Sequence, residues 1–401
     1  MTAEESRDPR QPLSPEAARW VDSTLASLSP RARAAQLIHV WLLGDYESET
    51  DSAFAETARW VRQDGIGGIL MSVGSPIEVA VKLNTLQAMA RVPLLVGCDV
   101  EPSIGRLEGG LFIPSMLKGG SATLLPTNMA IGATGDTALA YRAGLVTGRE
   151  SRAIGIHLAY APVADVNNNA ANPVINVRSF GEDPAQVAAM VAAFTRGVQD
   201  GGALATVKHF PGHGDTETDS HNALPVVRLT HARLDSVELR PFRASINAGV
   251  AAVMSAHISN PTWLGDALPA TLQRRVLHAE LRDSLHFRGL TITDALTMQG
   301  VARRLLAGGD RHPLGGGGRG GPAEAGRCHA GAECTRGACR RRCGVRRADR
   351  CGRPQESRDE GAGRSASRGA DVARLAAPRR RHRQPPRRGA RNRRTRRDRP
   401  A

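Results

Sequence analysis

Short apolar runs alternate with helix starts along residues 14–302, and that alternation restricts the fold more than any other feature of the chain. Ile66 to Met71, Pro93 to Cys98, Ile156 to Val163, Ala203 to Val207, Val250 to Ser255 and Leu290 to Thr293 each read as a strand buried on both faces. Ser14-Pro15, Ser29-Pro30 and Ser75-Pro76 each place a capping hydroxyl before a proline at the first helical position. Strands that alternate with helices must run parallel with right-handed crossovers, so the class is α/β, as an open doubly wound sheet or a closed barrel. Polar residues follow several of the runs: Asp99, Asp165, Lys208-His209, His257 and Asp294. The C-terminal ends of the strands form the active face of a TIM-like (β/α)8 barrel, which this pattern favours. A dinucleotide-binding sheet would carry its glycines just after the first strand, whereas Gly65, Gly67 and Gly68 precede or open theirs.

One stretch concentrates the chemistry: Lys208-His209-Phe210-Pro211-Gly212-His213-Gly214-Asp215-Thr216-Glu217-Thr218-Asp219-Ser220-His221. The run from Ala203 to Val207 leads into it as a strand, and Pro211, Gly212 and Gly214 exclude helix or sheet beyond, which leaves imidazoles and carboxylates on a loop. This stretch resembles the signature of glycoside hydrolase family 3, in the bacterial β-N-acetylglucosaminidase branch. Three further segments agree with it in order: Arg152-Ala153-Ile154-Gly155 followed by Ala161 to Asn167, then Arg178-Ser179-Phe180-Gly181-Glu182-Asp183-Pro184, then Thr291 to Met298. The resemblance runs from about residue 30 to about residue 302.

Retaining glycoside cleavage needs a carboxylate that attacks the anomeric carbon and a proton donor for the departing oxygen. The resemblance assigns Asp294 as the nucleophile, and the run Leu290 to Thr293 would aim it from a rigid strand. It implies His221 as the acid/base, partnered by Asp219; an imidazole can give and take a proton near neutral pH, and a carboxylate beside it fixes its tautomer. It further implies that Asp99, Arg106, Arg152, Lys208 and His209 bind the sugar hydroxyls. The Arg106 assignment departs from the family's compact Asp-x-Glu-Gly-Gly-Arg stretch, because here the chain spells Asp99-Val100-Glu101-Pro102-Ser103-Ile104-Gly105-Arg106 before Leu107-Glu108-Gly109-Gly110. His213 is expected to hold the loop through hydrogen bonds, and Asp215 and Glu217 to form its solvated rim. A histidine in the acid/base role would not repel an anionic acceptor, so phosphate could compete with water in the second step. The body shows no metal-ligand spacing, and the route needs no metal and no cofactor.

The net charge of +15 belongs to one end of the chain. Residues 303–401 carry 29 Arg, no Lys and 9 acidic residues, a balance of +20, which leaves −5 for residues 1–302. That stretch holds five of the six cysteines and no aromatic residue, Ile or Met, so it offers nothing to build a core. Its composition reads as a disordered, frameshifted translation. A native Arg-rich arm that binds nucleic acid and a zinc site around the clustered cysteines are the competing readings. The organisation expected is a polar segment over residues 1–13, a catalytic barrel over 14–302 that is incomplete at its C-terminal end, and the tail over 303–401.

A lone Cys98 in the body, a polar N-terminus and the lack of a long apolar stretch point to a cytoplasmic protein with no membrane or nucleic-acid partner. The expectation is a monomeric retaining exo-β-N-acetylhexosaminidase acting on a small carbohydrate, either a peptidoglycan fragment or a chitooligosaccharide. The alternatives are another family 3 activity such as β-glucosidase, or an inactive truncated product.

Overall fold

All seven strands among the described residues run parallel and pair in chain order, so each strand lies beside its sequence neighbours. The computed structural model describes residues 12–302, apart from Val73 and residues 105–121. The expectations for residues 303–401 and for Arg106 therefore fall outside the described residues.

The strands are β1 (His39–Leu43), β2 (Gly68–Ser72), β3 (Leu95–Cys98), β4 (Leu158–Ala159), β5 (Leu204–Phe210), β6 (Ala252–Ser255) and β7 (Leu290–Thr293). They curl into an open barrel wall of the TIM type. Helices α1 (Pro15–Ser27) and α2 (Pro30–Ala35) precede β1, and α3 (Ser52–Arg59) and α4 (Pro76–Met89) flank β2. Helices α5 (Asn128–Ala133) and α6 (Thr137–Ala153) lead to β4, and α7 (Pro184–Asp200) connects β4 to β5. Beyond β5, α8 (His231–Ser236) and α9 (Leu239–Asn247) lead to β6, and a short helix α10 (Pro261–Leu264) with a wide helix over Arg275–Ser284 leads to β7. No helix among the described residues is long and apolar enough to cross a membrane.

The three Ser-Pro helix starts form as their chemistry requires. Ser14 Oγ accepts from Ala17 N, Ser29 Oγ from Ala32 N and Ser75 Oγ from Glu78 N, so each hydroxyl satisfies a first-turn N–H that lacks a helical partner.

Alternation along each strand separates two apolar layers. Leu158, Tyr160, Ala252 and Met254 meet Leu70, Leu95 and Ile292 inside the wall. Ala159, Ala205, Val207 and Val253 turn outward into the larger core beneath the helices, with Phe194, Phe242 and Leu281. The inner layer plugs the wall, so only the C-terminal rim of the strands is open to chemistry.

Beyond shifts of one or two residues at β2, β3 and β6, three strands differ from the sequence reading. Strand β1 is absent from it, because the apolar residues run on from α2 with no Gly or Pro between, and periodicity cannot divide a helix from a strand across such a run. The stretch Ile156 to Val163 forms a ladder only at Leu158–Ala159: Pro162 has no N–H to donate, and pairing resumes as an isolated bridge between Val163 and Lys208. Strand β5 extends three residues further than expected, to Phe210, so Lys208 and His209 sit on the strand itself.

Candidate active site

Four strand ends bring the charged groups together. Asp99 directly follows β3, with Glu101 two residues on; Lys208 and His209 lie near the end of β5, His257 just past β6, and Asp294 directly after β7. Side chains fixed by strands hold their geometry better than side chains on loops.

Lys208 is 1% exposed, and its ammonium is shared by two carboxylates: Nζ lies 2.6 Å from Asp99 Oδ1 and 3.1 Å from Glu101 Oε1. Glu101 also faces Arg178, whose Nη2 donates to Oε1 at 2.7 Å and whose Nε donates to Oε2 at 3.3 Å. The paired carboxylate raises the Arg178 guanidinium above its ordinary range against the opposing effect of burial. Arg178 Nη2 then lies 3.4 Å from His209 Nε2, and His209 Nδ1 lies 2.7 Å from Asp165 Oδ2. An ionised carboxylate only accepts, so Nδ1 is the donor in that pair.

Asp165 is the buried anchor of the cluster. Its Oδ1 accepts the backbone N–H groups of His213 at 2.6 Å and His209 at 3.3 Å. Burial alone would raise this carboxyl, but the His209 and His213 imidazoles and these N–H donors hold it below the usual carboxylate range. The turn through Gly212 and His213 packs so closely on the strand-exit loop that a Cβ on Gly214 would overlap the Val166 carbonyl. Ser179 Oγ donates to the Asp165 carbonyl at 2.6 Å, which ties the Arg178 segment to the same point.

Asp294 is half-buried, with its backbone N–H donating to Ser255 O at 3.1 Å and its Oδ1 accepting from Ala295 N at 2.8 Å. Burial pushes its pKa up; His209, His257, the Ala295 N–H and Lys208 push it down and prevail, so it lies below the ordinary carboxylate range. The group is therefore ionised at neutral pH, as a nucleophile must be.

Asp219 and His221 form a local pair on the loop that follows β5. His221 Nδ1 lies 2.6 Å from Asp219 Oδ1, and His221 N donates to the same oxygen at 2.9 Å. That bond fixes Nδ1 as the donor and leaves Nε2 without a role in the pair; the His221 side chain is 63% exposed. The loop is bonded to the segment that follows Asp294, since Gly300 N donates to Ser220 O at 3.0 Å and Gln299 N to His221 O at 3.2 Å.

A model of the glycosyl hydrolase family 3 N terminal domain matches residues 30–307. The chain belongs to glycosyl hydrolase family 3. It is 36% identical over 292 residues to a β-N-acetylglucosaminidase/β-glucosidase of Cellulomonas fimi, a match that covers 71% of this chain and 49% of the relative. A solved family 3 β-N-acetylglucosaminidase from Paenibacillus sp. str. FPU-7 is similar with a TM-score of 0.61 at 39% identity, over 69% of this chain and 51% of that one. A solved β-glucoside phosphorylase is similar with a TM-score of 0.64 at 29% identity, over 73% and 51%. The chain spans about half the length of these relatives.

Within this family 3 domain, Asp99, Lys208 and His209 converge, and Asp294 stands on the same rim. Arg152 does not join them. It is exposed in the last turn of α6, its Cγ beside Gly202 just ahead of β5, and so lies at the opposite end of the strands from Asp99 and Asp294. The reason is topological: a helix that feeds a strand ends at the strand's N-terminal side, away from the active face. Arg178 and Glu101 are residues that sequence reasoning did not select for the site, and Asp165, placed by it on the active face, was given no role there. Arg178 opens the Arg-Ser-Phe-Gly segment already singled out, and Glu101 follows Asp99 by two residues, so their positions after strand ends were the available signals. His213 is buried and bonded as expected of a loop support. No group of three or more His, Cys, Asp or Glu among the described residues is arranged to hold a metal ion.

Proposed function

We propose that this domain is a retaining exo-β-N-acetylhexosaminidase for terminal β-linked N-acetylglucosamine, with peptidoglycan fragments or chitooligosaccharides as the substrate class. The observation that carries the reading is the pairing of an ionised strand-end carboxylate, Asp294, with a carboxylate-oriented imidazole on a loop bonded to the backbone just beyond it. In this mechanism His221 Nε2 protonates the departing oxygen while an Asp294 carboxylate oxygen attacks the anomeric carbon, giving a glycosyl-enzyme. His221, now neutral, takes a proton from water, and the water oxygen displaces Asp294 to restore the enzyme. Asp99, Lys208, His209 and Arg178 supply charged hydrogen-bond partners for the sugar hydroxyls, and such bonds can tighten as the ring flattens in the transition state.

Product stereochemistry followed by NMR tests the central claim. Release of the β-anomer first supports the reading; release of the α-anomer first excludes a covalent intermediate on Asp294. Comparison of nitrophenyl N-acetylglucosaminide with nitrophenyl glucoside tests the substrate class, because the Cellulomonas fimi relative carries both activities in its name.

The fold likeness to a β-glucoside phosphorylase favours a second acceptor for the same intermediate. Phosphate attacking in place of water would release sugar 1-phosphate, and a histidine acid/base presents no negative charge against it. Absence of that product in phosphate buffer would eliminate the phosphorolytic route.

A further inference from the structure

His213 makes no contact that the mechanism above requires, yet it is only 1% exposed and every polar atom it owns is engaged. Its N–H donates to Asp165 Oδ1 at 2.6 Å, and its carbonyl accepts Asn172 Nδ2 at 2.8 Å and the Thr216 hydroxyl at 3.0 Å. Its Nδ1 lies 2.7 Å from Thr216 Oγ1 and its Nε2 lies 3.1 Å from Ser220 Oγ. Because Thr216 spends its proton on the His213 carbonyl, Nδ1 carries the ring proton and Nε2 accepts from Ser220 Oγ–H. The ring is neutral at working pH, since burial and the repulsion of His209 lower its pKa to about 4.

Ser220 is itself buried and directly precedes His221. Its hydroxyl is held from beneath by His213, and its carbonyl is held from the side by Gly300 N. There is little slack at that second point: a Cβ on Gly300 would lie 3.0 Å from Ser220 O and 3.2 Å from His257 Cβ. The same Asp165 that fixes His213 also orients His209 among the sugar-binding groups. We infer that His213 and Ser220 form a latch that sets the position of the His221 imidazole over the site, which makes both of them positioning residues for the proton-transfer step. This inference rests on the acid/base reading of His221.

The latch predicts a selective defect. A loop that loses the His213–Ser220 bond and keeps only its ties to Gln299 N and Gly300 N spends less time with Nε2 at the departing oxygen, so kcat falls where protonation of the leaving group is needed and changes little where it is not. The Ser220→Ala variant of the full chain should lose roughly fivefold to tenfold in kcat on chitobiose, about the effect of one lost hydrogen bond, relative to its loss on nitrophenyl N-acetylglucosaminide, with KM held. His213→Gln should show the same split; should that buried change prevent folding, Ser220→Ala carries the test alone. Equal losses on the two substrates, or a rise in KM alone, would overturn the latch. His221→Ala in the same assay separates the two readings. If it discriminates strongly between substrates and Ser220→Ala does not, only the latch fails; if it shows no discrimination, the acid/base reading fails and the latch with it.

Discussion

Glu101 Oε1 lies 3.1 Å from Lys208 Nζ and 2.7 Å from Arg178 Nη2, so a single buried carboxylate holds two cations at the base of the site. Arg178 and Lys208 come from different strand-exit segments, and Glu101 is what keeps them side by side without mutual repulsion. Asp99 shares Lys208 but has no bond to Arg178 among those observed. Removing the charge with Glu101→Gln leaves the buried Lys208 and the half-buried Arg178 each short of a carboxylate partner. Loss of one member of a buried ion pair costs about 3 kcal/mol, and urea unfolding of the variant should show a loss of that order. A loss below about 1 kcal/mol would mean that Asp99 compensates for both cations.

Replacing Asp294 with Ala removes the carboxylate proposed to attack while leaving both core layers intact, since Asp294 belongs to neither. Turnover should fall by roughly 10⁴-fold or more, with a thermal midpoint within a few degrees of the parent. Substantial residual activity on nitrophenyl substrates would remove Asp294 from the nucleophile role.

Much of this was legible in the sequence for definable reasons. Strands buried on both faces write themselves as continuous apolar runs, and a Ser-Pro pair carries its own capping chemistry, so the α/β order and the ends of β3, β6 and β7 could be placed. The Asp219–His221 pair was legible because its partners are two residues apart, and local geometry determines their contact. Glu101 with Arg178 and His209 with Asp165 are separated by 77 and 44 residues, and only the order in which the strands curl brings them together. Arg152 fails for the complementary reason: its motif is real, but its place on the helix before β4 puts it on the far side of the strands, which a linear motif cannot express.

Acid should weaken the fold through its buried histidines before it reaches the carboxylates. His213 has its pKa lowered to about 4 by burial, whereas in the unfolded chain it titrates near 6.5. Between those values the unfolded state binds a proton that the native state refuses, so stability is full above about pH 6.5 and declines as pH falls toward 4. This one site accounts for on the order of 3 kcal/mol across the window, or about 1.4 kcal/mol per pH unit in its middle. Asp165, lowered by its histidine partners, acts in the same direction only below about pH 4, where its unfolded form begins to take up protons. Urea unfolding at pH 7, 6 and 5 should therefore show a decline that His213→Gln reduces by about one proton's worth. An unchanged slope in that variant would place the acid sensitivity elsewhere.

The two arginines give the sharpest contrast between motif and geometry. Arg178 reaches both Glu101 and His209 from the loop after β4, beside the Lys208–Asp99 pair proposed to hold the sugar. On the proposed mechanism, replacing it with Ala removes a charged donor to the sugar hydroxyls, and it leaves Glu101 without its guanidinium partner. Its kcat/KM should drop by roughly 10²-fold or more, the effect of a charged hydrogen bond lost in a sheltered site. Arg152 is exposed at the other end of the strands, beside Gly202. Arg152→Ala should leave kcat/KM within about twofold and stability within about 0.5 kcal/mol, as for most surface changes. Steady-state kinetics of the two variants on one N-acetylglucosaminide, measured side by side, would decide it. An Arg152 variant as impaired as the Arg178 variant would show that the sugar-binding site draws on the opposite end of the barrel wall, against the placement described above.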